Sequence, residues 1–165
     1  MVSENTRDMV WGDLLDAKRL ARYYAALSDR YRRRQNVIRL ILFLSAASGI
    51  AAFVDVLPKY FELVFGVLMA VVLAIDFVSD NAKKSAILHT ISVECSRLGN
   101  SWEELWVAID DDASTDAYVR QRNSHLNDSL LAVTSGAGQA DIAEDQKLNR
   151  KSAEQAYKVL GGQYG

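Results

Sequence analysis

The side chains that could perform catalysis or bind a metal are few, and their spacing suits neither task. The chain has one cysteine, Cys95, and two histidines, His89 and His125. No pair of these has the spacing of a metal site, and neither a paired-cysteine nor an HExxH motif is present. A single cysteine also excludes an intrachain disulfide. The sequence therefore predicts no catalytic residue, no metal ligand and no cofactor, in a protein that is not an enzyme.

Three charged residues within the long apolar runs are candidates for function, Arg39, Glu62 and Asp76, while Asp55 and Lys59 lie at the turn between the runs. Glu62 and Asp76 are 14 residues apart, close to four helical turns, so they share one helix face. An ionisable residue in a membrane span is a functional candidate, here either for ion passage or as an interfacial anchor or salt-bridge partner. Counting outward from Leu57, Arg39 lies 18 residues before and Asp76 lies 19 residues after. We expect Arg39 and Asp76 to pair across a hairpin.

The elements that hold these charges are two apolar runs, at residues 37–57 and 60–78. A helix needs about 20 apolar residues to cross a bilayer, and both runs approach that length. The chain's one proline, Pro58, lies between them, where a turn or the first turn of a helix tolerates it. The sequence predicts a hairpin of two transmembrane helices. The alternative is that both runs are central helices of a soluble bundle.

Basic residues are concentrated on one side of the hairpin, with only Lys59 in the turn, which predicts that both termini are cytoplasmic. The pI near 5.7 and net charge of -2 argue against a nucleic-acid-binding protein, so the bilayer, with its anionic headgroups, is the expected partner of the basic cluster. The cluster comprises Arg30, Arg32, Arg33 and Arg34 before the first run, and Lys83 and Lys84 after the second.

Small residues recur at four-residue spacing in both runs, which lets helices approach closely in lipid. They close the hairpin within one chain, or they form an oligomer interface around a polar path; both interpretations stay open. These packing or pore-lining candidates are Ser45, Ser48, Gly49, Gly66, Ala70 and Ala74.

Helical stripes flank the hairpin on both sides, with apolar residues at spacings of four and three. One stripe runs from Val10 to Tyr31 and the other from Ile87 to Ile109, with Trp102 as a core residue of the second. We expect an all-α single domain over residues 1–165. Its predicted parts are a cytoplasmic helix at 8–36, transmembrane helices at 37–57 and 60–78, a cytoplasmic helix at 79–109 antiparallel to the first, and shorter helices within 115–160. We expect the second span to continue straight into the helix at 79–109, with His89 and His125 on helix surfaces.

Cap and turn residues predict how the C-terminal region is divided. The acidic run at 110–112, followed by Ser114 and Thr115, predicts a helix break and a new N-cap. A helix at about 115–133 follows, and Ser135 to Gly138 is predicted as a loop. The last segment, about 140–160, is predicted as a helix that ends at Gly161-Gly162, or as a tail that orders when a partner binds. The predicted apolar faces comprise Tyr118, Leu126, Leu130 and Val133 in the first helix, and Ile142, Leu148, Ala156, Tyr157 and Leu160 in the last.

The pattern as a whole resembles the SLATT family, two-transmembrane effector domains associated with bacterial nucleotide-second-messenger systems. The resemblance lies in the Trp11 helix with Tyr23-Tyr24, the arginine cluster, the two spans joined at Pro58, Lys83-Lys84 followed by His89, and the segment from Trp102 to Trp106. It covers residues 8–135.

The resemblance implies an effector in bacterial conflict or antiphage defence that oligomerises in the inner membrane and forms a pore, causing depolarisation or cell death. It also implies a nucleotide-signalling system or a cytoplasmic partner as the activator. The alternative function is a membrane-anchored helical scaffold that docks a cytoplasmic partner.

Overall fold

The computed structural model describes residues 2–53, 59–109, 114–139 and 142–164, without the side chains of 47–53, 59, 61–63, 65, 77–79 and 139. The described residues form helices and no strand, so the predicted all-α class is confirmed. The helices are α1 (Glu4–Phe53), α2 (Lys59–Ser79), α3 (Asn81–Ala108), α4 (Asp116–Gln139) and α5 (Gln146–Tyr164).

Packing divides the chain into two compact units. Unit 1 comprises Met1–Ser28 and Ala86–Gly165, and unit 2 comprises Asp29–Ser85. Helices α1 and α3 each contribute residues to both units. The predicted helix at 8–36 and the predicted span at 37–57 belong to one continuous helix, α1, as far as Phe53.

The core of unit 1 confirms the two predicted stripes. Val10, Leu14 and Ala17 of α1 lie in the same buried cluster as Cys95 and Trp102 of α3. Burying a large apolar side chain contributes about 1.5–3 kcal/mol, so a stripe of this length is enough to hold two helices together. The remaining members from these stripes are Ala21, Ile91, Leu98, Leu105 and Ile109.

A helix break at Asp80 corrects the prediction that the second apolar run continues straight into the next helix. Asp80 has a φ of 46°, in the left-handed region that aspartate tolerates better than most residues. Its backbone N–H still donates to the Asp76 carbonyl at 3.3 Å, and its own carbonyl accepts from Lys84 N–H at 3.0 Å. The chain therefore leaves one helix and enters the next within a single residue.

The start of α4 confirms the predicted N-cap, and its end corrects a predicted loop. The Thr115 hydroxyl accepts from Tyr118 N–H at 3.3 Å, as an N-cap does. The acidic run at 110–112 lies outside the described residues. The helix before it, α3, ends at Ala108, and Ile109 is in a turn. The segment Ser135 to Gly138, predicted as a loop, is helical. A glycine costs a helix only about 1 kcal/mol relative to alanine, which packing can offset.

The buried face of α4 differs by one position from the predicted one. Tyr118 is exposed, and Val119 beside it is fully buried. Asn123 then continues the buried face, so a polar residue occupies a core position. The predicted face is confirmed at Leu126 and Leu130 and wrong in the first turn, because a buried asparagine interrupts the apolar periodicity there.

A hydrogen-bond network makes that buried asparagine tolerable. Trp102 Nε1 donates to Asn123 Oδ1 at 2.7 Å, and Asn123 Nδ2 donates to Asp13 Oδ2 at 2.6 Å. Asn127 Nδ2 donates to the same Asp13 oxygen at 2.8 Å. Buried polar groups are stabilising only when paired in this way, so the network fixes α1, α3 and α4 in one register.

Helix α5 is ordered, with a buried face at Ser152, Ala156 and Leu160. Tyr157, which the sequence placed on that face, is exposed. The predicted end at Gly161-Gly162 is also wrong, since the helix continues to Tyr164. The edge of the Tyr164 ring meets Trp11 at a centroid distance of 6.2 Å, and this contact holds the last turn.

Candidate functional site

Cys95, in unit 1, is placed for packing rather than for chemistry. Cys95 is fully buried, and burial, with Glu94 adding to it, raises the pKa of its thiol to about 11. A thiol that stays protonated is a poor nucleophile. His89 and His125 are both exposed, as the sequence predicted. Among the described residues, no three His, Cys, Asp or Glu side chains are grouped closely enough to hold a metal ion.

Asp116 has a structural role at the start of α4. Its Oδ1 accepts from the backbone N–H of Ser3 at 3.0 Å and from the Ser3 hydroxyl at 2.9 Å. The backbone hydrogen bond from Ser3, followed by side-chain hydrogen bonds from Thr6 and Ser3, lowers the pKa of Asp116. The carboxylate thus ties the beginning of α1 to the beginning of α4.

Unit 2 has the opposite polarity along residues 35–46 of α1. Gln35 and Ser45 are buried there, with Ile38 and Leu42 half-buried between them at spacings of three and four. The outward side carries Asn36 and Arg39 but is otherwise apolar, and Phe43 is 70% exposed. A surface helix in water normally turns its polar residues outward. The exposed apolar residues of this segment are Val37, Leu40, Phe43 and Leu44.

Helix α2 also turns large apolar side chains outward. Its inward positions are Val72, which is buried, and Met69 and Asp76, which are half-buried, again at spacings of three and four. At about 100° per residue, the exposed side chains cover more than half of the helix circumference. The exposed large side chains are Tyr60, Val64, Val67, Leu68, Val71, Leu73 and Ile75. An apolar surface of this extent marks contact with a membrane or with another protein.

Gln35 was not among the residues that the sequence pattern selected, yet it is the least satisfied polar group of unit 2 that the structure describes. It is 8% exposed, and its Oε1 has no hydrogen-bond partner. Gln35 follows the arginine cluster, where a polar residue is common, so the sequence pattern gave no reason to select it. Its position on the same inward stripe as Ser45 was the available signal.

The small-residue candidates divide between the two sides of their helices. Ser45 is buried, whereas Gly66, Ala70 and Ala74 are all exposed, one turn apart on α2. A Cβ added at Gly66 meets nothing within 4 Å. The α2 residues therefore leave an open face of small side chains. The Ser48 side chain and the surroundings of Gly49 lie outside the described part of the structure.

The predicted ion pair between Arg39 and Asp76 is wrong for these two described side chains. Arg39 is on the exposed side of α1 with Phe43, while Asp76 is on the inward stripe of α2. Equal distance from the turn sets depth along the hairpin but not the direction around each helix, and the two residues differ in direction. The Glu62 side chain lies outside the described residues.

The basic cluster is exposed. Arg30, Arg32, Arg33 and Arg34 all reach solvent, and so does Lys83, with Lys84 half-buried. Arg32 pairs with Asp29 at 2.8 Å, and the Arg34 guanidinium lies 5.8 Å from the centroid of the Tyr31 ring. Exposed pairs of this kind contribute little to stability, so these side chains remain able to contact other groups.

Within the described part of the chain, no helix is both long and apolar enough to cross a membrane. In and around the two apolar runs, that part leaves out 54–58 and the side chains of 47–53, 59, 61–63, 65 and 77–79. Compared with protein-family models, with curated proteins and with solved structures, the chain matches none. The resemblance to the SLATT family remains a prediction from the sequence.

Proposed function

We propose that unit 2 is a two-helix membrane anchor, and that copies of the chain assemble through it into a pore in the bacterial inner membrane, with unit 1 in the cytoplasm. The observation that carries this proposal is the inverted polarity of unit 2, where Phe43 and Leu40 are exposed while Gln35 and Ser45 are buried. Lipid tails solvate apolar side chains, so this arrangement is stable in a bilayer and unfavourable in water.

Two further features support assembly rather than anchoring alone. The exposed face of Gly66, Ala70 and Ala74 permits close approach of a second helix in lipid. The polar groups of Gln35 and Ser45 supply an inward stripe of the kind that lines a hydrated path. The exposed arginines at one end of unit 2 suit anionic headgroups on the cytoplasmic side.

Leakage from liposomes, combined with the mass of the detergent-solubilised particle, tests the proposal. Gly66→Leu is the decisive variant, because the added side chain has space within one chain but obstructs a neighbouring helix. We expect a smaller particle and loss of leakage. Gly161→Leu, at another exposed glycine with open space around its Cβ, is the matched control and should change neither. Leakage by a Gly66→Leu monomer would contradict the pore.

The second candidate function is a membrane-anchored scaffold, favoured by the exposed Tyr118 and Leu131 on α4 of unit 1. Such apolar side chains suit the docking of a soluble partner. Replacing residues 37–78 with an unrelated transmembrane hairpin separates the two candidates. A scaffold keeps its cellular effect after the exchange, whereas a pore loses it.

A further inference from the structure

Helix α5 lies antiparallel to α1 within unit 1, and contacts near both of its ends join it to α1. At its start, the backbone N–H of Asp145 donates to the Tyr23 hydroxyl at 3.0 Å. At its end, the Tyr164 ring meets the Trp11 ring edge to face at a centroid distance of 6.2 Å. The start of α5 thus contacts the later α1 residue and its end contacts the earlier one. Both contacts lie inside unit 1, so they depend neither on unit 2 nor on the membrane proposal.

Between these two contacts, α5 buries little apolar surface. The structure describes all of α5, and its buried residues are Ser152, Ala156 and Leu160, of which only Leu160 is large. Tyr157 and Val159 are both at least half exposed. The large buried side chains of α3, by comparison, are Leu88, Ile91, Leu98, Trp102 and Leu105. Because burial of apolar surface is the main force that holds helices together in water, α5 is held less firmly than α3.

The packing at the start of α5 is incomplete. A half-open cavity of about 270 Å³ lies between α1, the end of α4 and the start of α5. Its walls include Tyr23 of α1, Ala137 of α4 and Asn149 of α5. Side chains that face such a space lack the close contacts of a filled core. The cavity therefore weakens the attachment of α5 to the rest of unit 1.

Two features of α5 itself make its bound position less favourable. Asn149 Oδ1 is closed to solvent and has no hydrogen-bond partner among the described residues, and water would supply a donor once α5 moved away. Gly161 and Gly162 lie within the helix, although a Cβ at either position would meet nothing within 4 Å. Alanine is favoured over glycine about fivefold at a helix position, so these glycines weaken the last turns without serving a close contact.

We propose that α5 is a releasable strap, which detaches from α1 as one unit while α1, α3 and α4 stay packed together. The hydrogen bonds that join Asp13, Asn123 and Trp102 connect those three helices without any α5 residue. Release of α5 uncovers the rings of Trp11 and Tyr23. The closed strap thereby hides an apolar surface of unit 1, and the open form presents that surface to other molecules.

Hydrogen exchange of the full-length protein in detergent tests the proposal, because a segment that opens on its own exchanges faster than the helices that stay packed. Residues 149–160 of α5 are compared with residues 119–130 of α4, under conditions in which the exchange rate reports the opening equilibrium. After division by the intrinsic exchange rates, we expect the α5 amides to exchange at least about tenfold faster. Equal protection of the two helices would overturn the proposal.

Variants in the network and in the strap separate release of α5 from unfolding of all of unit 1. Asp13→Ala removes the acceptor shared by Asn123 and Asn127, so exchange in α4 should rise at least about fivefold while exchange in α5 stays the same. Leu160→Ala should speed exchange in α5 at least about tenfold. Val159→Ala, at the exposed neighbouring position, should change the α5 rate less than about threefold.

Gly12→Ala provides the same test if Asp13→Ala fails to fold. A Cβ at Gly12 has open space, and alanine favours the α1 helix, so exchange in α4 through unfolding of unit 1 should slow about fivefold. Exchange in α5 should stay the same, because α1 is helical in both the closed and the open form. An equal change of the α4 and α5 rates in Asp13→Ala or Gly12→Ala, or an unchanged α5 rate in Leu160→Ala, would overturn the proposal.

Discussion

In unit 1 the fully buried side chains include Trp102, Leu14 and Leu88, whereas in unit 2 the buried side chains include Gln35 and Ser45 while Phe43 is 70% exposed. Both units are helical, so backbone hydrogen bonding does not distinguish them. What differs is that unit 2 turns large apolar side chains outward as well as inward, and buries polar side chains between them. Water favours the arrangement of unit 1, and the lipid surrounding that we propose for unit 2 would favour its arrangement. Matched substitutions in the two units can test this contrast.

The largest effect is expected in the core of unit 1. Trp102→Ala removes a fully buried side chain and leaves Asn123 Oδ1 without its donor, so it should lower the free energy of unfolding by about 3–5 kcal/mol. Chemical denaturation in detergent, followed by circular dichroism, measures the loss. Val107→Ala, at an exposed position of the same helix, should cost less than about 1 kcal/mol. Similar losses for the two variants would mean that Trp102 is not a core residue.

A lysine on the outer side of each unit compares their surroundings directly. Phe43 and Leu131 are 70% and 68% exposed, so neither substitution disturbs a core. A lysine inside a membrane helix costs about 2–3 kcal/mol, and Phe43→Lys should reduce the carbonate-resistant membrane fraction. Leu131→Lys should leave that fraction unchanged. An equal response in both would remove the contrast between the units.

The polar network of unit 1 should be worth more than a surface ion pair on the same helix. Asp13→Ala leaves Asn123 and Asn127 without their shared acceptor and should cost about 1–3 kcal/mol in thermal or chemical unfolding. Asp16→Ala, about one turn further along, removes only an exposed pair with Arg19 and should cost less than about 1 kcal/mol. If Asp16→Ala cost as much as Asp13→Ala, the network would have no special role.

The smallest effect is expected in how stability depends on pH. The pKa of Asp116 in the folded chain lies below its ordinary value of 3.8, so its contribution to stability is present above about pH 4 and is lost as the pH falls further. Asp116→Asn should therefore remove part of the loss of thermal stability between about pH 4 and pH 2. A variant whose acid sensitivity equals that of the native chain would show that Asp116 does not carry this effect.

Periodicity predicted the parts of the fold in which apolar side chains alone decide the register. The stripes through Leu14 and Trp102 were confirmed because water drives such residues inward on a helix. On α4 periodicity placed Leu126 and Leu130 correctly, but it missed the buried Asn123, which is held by a network that spans three helices. A contact between residues distant in the chain, such as Asp13 and Asn123, leaves no local pattern in the sequence.

The sequence predicted which segments make up the candidate site, but not the direction in which their side chains point around each helix. The sequence located the apolar runs, yet it could not place Arg39 outward and Asp76 inward, because the angle around each helix depends on how the helices pack. Gln35 was missed for the same reason. A polar residue beside an arginine cluster is ordinary in the sequence and exceptional only once it is buried.

Thiol accessibility tests most directly whether lipid surrounds unit 2. Phe43→Cys and Leu131→Cys are treated with a water-soluble maleimide in open membrane fragments, where both faces of the bilayer are reachable. Native Cys95 is an internal control, since burial and a pKa of about 11 should keep it unreactive. We predict rapid labelling at position 131 and protection at position 43 until the membrane is dissolved and the chain denatured. Equally rapid labelling at both positions in the intact membranes would contradict a lipid surrounding for unit 2.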